Sequence, residues 1–211
     1  MRLVLASNNA KKLAELRSLF AALPIELAPQ GELGIAEAEE PYATFVENAL
    51  AKARQAAAAS GGAAIADDSG LCVEALGGAP GVASAVYADV TLPSGDREAQ
   101  RAWQDDANNR RLLETLAGQA DRRAAFVCTL VALRHARDPQ PLVAFGRWPG
   151  TILESPRGAG GFGYDPLMFI PALGRSVAEL GADEKNALSH RALAAREMLA
   201  LMRAHWRAAA A

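Results

Sequence analysis

The sequence has little that would indicate a secreted, zinc-binding or polyanion-binding protein. Its two cysteines, Cys72 and Cys128, lie in apolar stretches without metal-ligand spacing, so we expect reduced core thiols in a cytoplasmic protein. Because 22 basic residues face 24 acidic ones, no nucleic-acid-binding surface is expected. The N-terminal apolar run is too short for a signal peptide, and no run is long enough to cross a membrane. We therefore expect neither a nucleic acid nor a membrane as partner.

Lysine is also scarce, since 18 of the 22 basic residues are arginines. A lysine kept in such a chain indicates a place where a compact point charge is needed. The four lysines are Lys11, Lys12, Lys52 and Lys185. The remaining composition, with 51% apolar and 22% charged residues, is that of one globular domain over residues 1–211.

Hydrophobic periodicity predicts strands that alternate with helices early in the chain, followed by a hairpin. Helices are predicted over residues 10–23, 44–60, 96–116 and 189–206, the last with a stripe from Ala194 to His205. Strands are predicted over residues 3–6, 63–66, 124–133, 142–148, 151–153 and 167–170. This order favours an α/β fold with a mixed sheet and helices on both faces.

The segment Asp67-Asp68-Ser69-Gly70 follows a short apolar strand. Two neighbouring carboxylates raise the cost of ionising both, so the pair requires water or a cation beside it. Mg2+ would suit the pair, because it prefers carboxylate oxygens and leaves positions open for water and phosphate. The alternative is a solvated Asp-Ser-Gly turn.

Two further features indicate phosphate binding. Lys11 and Lys12 occupy the first turn of a helix that the caps Ser7 to Asn9 precede, where free amides and ammonium groups together attract an anion. The alternative is two solvated lysines. Lys52 falls on the apolar face of the second helix, so it needs a carboxylate or phosphate partner unless its stem reaches the surface.

Two late segments are suited to a nucleobase. The loop from Gly160 to Pro166 sets two aromatic residues between glycines, where a base can stack while backbone amides approach closely. Ser189 caps the last helix, and His190 and Arg191 place positive charge in its first turn.

Taken together, these segments resemble the inosine triphosphate pyrophosphatase family, also described as XTP/dITP diphosphatases, in order over about residues 3–200. The matching segments are Ser7 to Lys12, Glu40, Thr44 to Ala49, Lys52 to Ala53, Ala66 to Leu71, Leu76 to Gly81, Gly161 to Pro166, Glu184 to Asn186 and Ser189 to Arg191.

The resemblance implies an elongated mixed sheet flanked by helices, with two lobes, a central cleft and usually a homodimer. It implies Mg2+-dependent hydrolysis of ITP, dITP and XTP to the monophosphate and pyrophosphate. Asp68 is the implied general base, supported by Asp67, and Glu40 and Asp68 are the implied metal ligands. The implied triphosphate ligands are Ser7, Asn8, Asn9, Ala10, Lys11, Lys12 and Lys52, and Ser69 contacts substrate. The implied base pocket comprises Phe162, Gly163, Tyr164, Asp165, Lys185, His190 and Arg191.

One departure concerns Val86, where bacterial relatives often have an arginine near the cleft or the dimer contact. Two other functions remain open. One is a related pyrophosphatase for modified pyrimidine or methylated nucleotides, and the other is a non-catalytic nucleotide sensor, which would not need Glu40 or the Asp pair.

Overall fold

The computed structural model describes residues 1–21 and 24–206, which divide into two compact units. Unit 1 comprises residues 1–69, 128–147 and 188–206, and unit 2 comprises residues 70–127 and 148–187. That residues 1–211 form one domain with a cleft between lobes stays a prediction. No helix in the described ranges is long and apolar enough to span a membrane.

Seven strands form one sheet in the order β2-β1-β3-β4-β5-β6-β7. They are β1 Arg2–Leu5, β2 Glu26–Pro29, β3 Ala64–Val73, β4 Arg123–Leu133, β5 Leu142–Ile152, β6 Met168–Ile170 and β7 Arg175–Ser176. β1 pairs in parallel with β2 and β3, whereas β6 is antiparallel to β5 and β7. The mixed sheet predicted from the sequence is thereby confirmed.

Five α-helices accompany the sheet in the described ranges: α1 Ala10–Phe20, α2 Phe45–Ser60, α3 Arg97–Thr115, α4 Ala182–Leu188 and α5 His190–His205. Side-chain caps begin four of them. Asn9, Thr44, Asp96 and Ser189 each accept a hydrogen bond from a backbone amide in the first turn of the following helix. These caps fix where α1 and α5 begin, and both starts belong to the candidate site.

Each unit has its own apolar core. In unit 1, α1 and α5 pack on β1 and β4 through residues such as Leu16, Leu130 and Met198. Small alanines of α2 pack on Val4 and Ala66 in a second unit 1 cluster. In unit 2, Leu112 of α3, Phe126 and Met168 belong to one cluster.

Several predicted bounds were wrong. α1 ends at Phe20, and Leu23, predicted as its last residue, lies outside the described residues. The strand predicted over 151–153 is the end of β5, because the extended backbone continues through Gly150. β2, β7 and α4 were not predicted, since they are short and carry no clear period. His205 was placed on the apolar stripe of the last helix but is exposed.

Candidate active site

The Asp pair lies inside β3 and is buried. Asp67 is 2% exposed and Asp68 is 6% exposed, because β3 continues through the pair to Val73. The alternative of a solvated turn is therefore wrong, and so is the expectation that the strand ends before the pair. Two buried neighbouring carboxylates require cationic partners, and unit 1 supplies them.

Asp67 accepts hydrogen bonds at both carboxylate oxygens. Its Oδ1 accepts from the Lys12 ammonium and from Ser69 Oγ at 3.1 Å. Its Oδ2 accepts from Arg191 Nε at 3.0 Å and from the Cys128 thiol at 3.2 Å. Burial alone would raise the pKa of Asp67, but the charges of Arg191 and Lys12 hold it well below its usual range. Both oxygens of Asp67 therefore have hydrogen-bond donors, and the low pKa favours its charged form.

Asp68, the next residue, is in a different state. Its Oδ1 accepts from Lys52 Nζ at 3.0 Å, whereas its buried Oδ2 has no hydrogen-bond partner in the described part of the chain. Burial raises the pKa of Asp68 to about 6, although the Lys52 charge acts in the opposite direction. Two neighbouring carboxylates with pKa values moved apart are typical of sites in which one acts as an acid or base.

Lys52 joins Asp68 to Glu40. Its ammonium donates to Glu40 Oε2 at 2.8 Å and to Asp68 Oδ1 at 3.0 Å, and the residue is only 8% exposed. Its stem does not reach the surface, so the sequence-based prediction of a buried, paired ammonium is confirmed. Burial disfavours its charge, but Asp68 and Glu40 outweigh burial and raise the pKa of Lys52.

The start of α1 presents donors without acidic side chains. Asn9 Oδ1 accepts from the amides of Lys11 and Lys12 at 3.0 and 3.2 Å, and the first turn contains no carboxylate. Asn8 donates from Nδ2 to Glu37 Oε1 at 3.0 Å. Lys11 is exposed, while Lys12 is held against the Asp pair. The alternative of two solvated lysines is thus wrong for Lys12.

Arg191 lies at the start of α5 and is 2% exposed. In addition to Asp67, its guanidinium contacts Glu15 and donates to Ser69 Oγ at 2.9 Å. Burial opposes its charge, yet Asp67 and Glu15 raise the pKa of Arg191. Gly146 of β5 permits this position, because a side chain there would collide with backbone atoms of the first turn of α5.

Unit 2 contains the aromatic loop. Asp165 Oδ2 accepts from the Phe162 amide at 2.9 Å and from Lys185 Nζ at 2.7 Å. The same ammonium lies 4.4 Å from the centroid of the Phe162 ring. Tyr164 is 5% exposed and donates its hydroxyl to the Ser84 carbonyl at 2.9 Å. Phe162 is thus the half-buried aromatic of the loop, and Tyr164 belongs to the core.

Several residues at these sites were missed by sequence reasoning. They are Glu15, Glu37, Cys128, Asp105 and Asn109. Glu15 lies one helical turn after Lys12, a spacing that signals a shared face, whereas Cys128 gave no signal beyond its burial. The roles predicted for Ser7 to Lys12, His190 and the other site residues stay predictions.

The fold and the charged cluster of unit 1 define a class, that of α/β proteins with a buried acidic pair beside a lysine-bearing helix N-terminus. The chain belongs to the Ham1 family, whose sequence model matches residues 3–201. The family resemblance inferred from the motifs is confirmed.

Relatives of known name and structure agree with this membership. The dITP/XTP pyrophosphatase of Methylibium petroleiphilum is 78% identical over 206 residues, with 98% of this chain and 99% of that protein covered. The dITP/XTP pyrophosphatase of Leptothrix cholodnii is 68% identical, with 98% and 99% covered. The solved structure of a HAM1 protein from Coxiella burnetii gives a TM-score of 0.85 at 42% identity, over 96% of this chain and 99% of that one.

Proposed function

We propose that this chain hydrolyses non-standard purine nucleoside triphosphates, namely ITP, dITP and XTP, to the monophosphate and pyrophosphate, and so cleanses the nucleotide pool. The names of its close relatives support this activity. The observation that carries the chemistry is the contrast within the Asp pair. Asp67 accepts from donors at both oxygens, which hold its pKa well below the usual range. Asp68 Oδ2 has no hydrogen-bond partner among the described residues, and burial raises the pKa of Asp68 to about 6.

The phosphates are proposed to bind in unit 1, at the start of α1. The positive end of the α1 dipole and the Lys11 and Lys12 ammonium groups offset negative charge there, in a first turn without acidic side chains. Lys52 is the third cation. Because its ammonium already lies between two carboxylates, an incoming phosphate oxygen would replace one carboxylate as its partner without new desolvation of the lysine.

Glu40 and Asp68 are the proposed ligands of Mg2+. They fit this ion because both carboxylates already share one cation, and Asp68 Oδ2 is a buried acceptor without a partner among described residues. No cluster of three or more possible protein ligands occurs in residues 1–21 and 24–206. One or two carboxylates with substrate phosphates are the usual ligand set of Mg2+. When bound, the ion would offset the charge that develops on the phosphate oxygens.

Asp68 is proposed to activate the attacking water. Its carboxylate takes a proton from the water, whose oxygen forms a bond to the α-phosphorus while the bond from that phosphorus to the bridging oxygen breaks. Pyrophosphate leaves with the electron pair of that bond. At neutral pH a carboxyl group with a pKa of about 6 is mostly ionised and is still basic enough to accept the proton.

Base recognition is proposed to use Phe162 as a stacking surface, with Gly163 to Asp165 shaping the loop. The ammonium of Lys185, which lies beside that ring, suits the 6-oxo oxygen of hypoxanthine and xanthine. The three guanidinium nitrogens of Arg191 already donate to Asp67, Glu15 and Ser69, so its role in base recognition stays a prediction. Adenine has an amino group in place of the 6-oxo oxygen, so donor would meet donor. Buried polar groups left unpaired discriminate by about 10,000-fold or more, and we therefore expect strong rejection of ATP.

A direct test is pyrophosphate release from dITP in the presence of Mg2+, with dCTP and ATP as comparisons. Rapid release from dITP alone is expected. Release from dCTP or ATP instead of dITP, or nucleotide binding without hydrolysis, would contradict the proposal.

We also propose that the protein acts as a homodimer in the cytoplasm, where its substrates occur. The exposed apolar side chains of Val86 and Trp103, 67% and 47% exposed, support a contact surface on unit 2.

A further inference from the structure

We propose that Asp105 and Asn109 of α3 are positioning residues for base selection, because they fix the backbone of the aromatic loop in unit 2. Gly163 donates its amide to Asp105 Oδ2 at 2.8 Å, and Asn109 Nδ2 donates to the Gly163 carbonyl at 2.9 Å. Both polar groups of one peptide residue are thus held by side chains of a single helix. The inference rests on the proposed function of the loop.

The two residues are suited to act together. They are four positions apart on α3, so their side chains project from the same face and meet one residue of the loop. Gly163 has a φ of +61°, a conformation that glycine tolerates but that does not by itself hold one geometry. External hydrogen bonds therefore supply the rigidity that the glycine lacks.

Fixing Gly163 fixes Phe162. The Phe162 amide is held from within the loop by Asp165, whose carboxylate also holds Lys185 over the Phe162 ring. On the other side of Phe162 in sequence, the bonds to Gly163 leave the peptide plane little freedom. The backbone on both sides of Phe162 is thus held, and Lys185 lies beside its ring.

Asn109 shows that this arrangement has a cost. The residue is buried, and its Oδ1 has no hydrogen-bond partner within the described chain. A buried acceptor without a partner is unfavourable, and an apolar side chain of similar volume would avoid the penalty. The side-chain amide of Asn109 is explained by its Nδ2 group, which donates to the Gly163 carbonyl of the loop.

Neither residue was marked by the sequence, because α3 is strongly polar and its exposed face is rich in charge. Asp106, the next residue, is exposed and carries the same charge. It therefore provides a matched control for substitution of Asp105.

The experiment compares Asp105→Ala, Asp105→Asn and Asp106→Ala, each measured for kcat and KM with dITP and dGTP and for inhibition by inorganic tripolyphosphate. Loss of a hydrogen bond to a charged group corresponds to roughly a tenfold change. We expect Asp105→Ala to raise KM for dITP roughly tenfold and to narrow the preference for dITP over dGTP. The kcat value and tripolyphosphate inhibition should stay within about twofold, since the phosphate residues lie in unit 1.

Asp105→Asn should keep KM for dITP close to the wild-type value, because its side-chain oxygen can still accept from the Gly163 amide. Asp106→Ala should behave as wild type. Asn109→Leu keeps the packing and removes the donor, so it should raise KM by a smaller factor without lowering the melting temperature. It carries the test if Asp105→Ala does not fold.

An equal loss on dITP and dGTP, or an equal weakening of tripolyphosphate inhibition, would overturn the inference and assign Asp105 to the fold alone. Wild-type kinetics in both Asp105→Ala and Asn109→Leu would also overturn it. Failure of the wild-type protein to release pyrophosphate from dITP would instead contradict the proposed function, so the two failures are distinguishable.

Discussion

The adjacent carboxylates Asp67 and Asp68 have different proposed roles, and substitution of Asp68 tests them. In Asp68→Asn the amide keeps the shape of the side chain but accepts a proton poorly, so turnover of dITP should fall by about 100- to 10,000-fold. Nucleotide affinity, measured by calorimetry, should change little. Retention of more than a tenth of wild-type kcat at saturating Mg2+ would assign the base role to another group.

A second prediction for a single residue concerns Lys52 and the pH dependence of stability. In Lys52→Met, Asp68 and Glu40 lose their shared cation, so the pKa of Asp68 should rise above its present value of about 6. A carboxyl group whose pKa is higher in the folded than in the unfolded state destabilises the fold at pH values above its folded pKa. This loss of stability decreases as pH falls through the folded pKa and is absent below the unfolded pKa.

Melting curves in a chelator should therefore show the variant clearly less stable than wild type at pH 8 and nearly equal to it at pH 5. A difference that does not change with pH would mean that packing of the lysine stem, and not its charge, stabilises this region.

At the scale of elements, the approach of α5 to β5 positions Arg191. A Cβ atom on Gly146 would meet backbone atoms of His190 and Ala194, which cannot move independently of the helix. We expect Gly146→Ala to lower stability by about 1–3 kcal/mol, the usual range for overpacking. It should also lower kcat/KM, because the guanidinium moves away from Asp67. Gly62→Ala, where a Cβ has ample space, is the matched control.

The connection between β4 and β5 depends on Asp138, whose carboxylate accepts from the backbone amides of Arg134 and Gln140, each at 3.0 Å, and from the Arg134 guanidinium. The bonds from Arg134 hold the pKa of Asp138 well below its usual range. Stability from such a group is complete above its unfolded pKa of about 4 and declines as pH falls toward the folded value.

Asp138→Asn should thus be less stable than wild type at pH 7, and this difference should shrink between pH 4 and pH 2 in denaturant titrations. A constant difference over that range would contradict the electrostatic explanation.

For the whole molecule, the proposed homodimer can be tested by measuring the mass of the particle in solution. A homodimer would have twice the chain mass of 22.1 kDa in light scattering. Val86→Asp places a charge on an exposed apolar position and should shift the protein toward the monomer, because a buried unpaired charge is costly. A wild-type monomer at micromolar concentration would contradict the proposed assembly.

The sequence predicted much of this molecule where the signal was local. Helical periodicity placed Lys52 on a buried face, and caps located the starts of α1, α2 and α5. The sequence did not predict the pairing of Lys52 with Glu40, or of Arg191 with Glu15 and Asp67. Those contacts join residues distant in the chain, which local patterns do not reveal. Asp105 and Asn109 were missed for a different reason: on a polar helix, a residue that anchors a loop has the same pattern as one that faces water.

Oδ1 of Asn109 has no hydrogen-bond partner among the described residues, and this has a consequence for laboratory evolution. A screen that rewards heat resistance alone would favour apolar replacements at this position, since they remove a buried acceptor. The resulting variants would have higher melting temperatures and would hydrolyse dGTP more readily. Selection for a higher melting temperature and selection for dITP over dGTP would then favour different residues at position 109. A library selected for both properties should retain asparagine there.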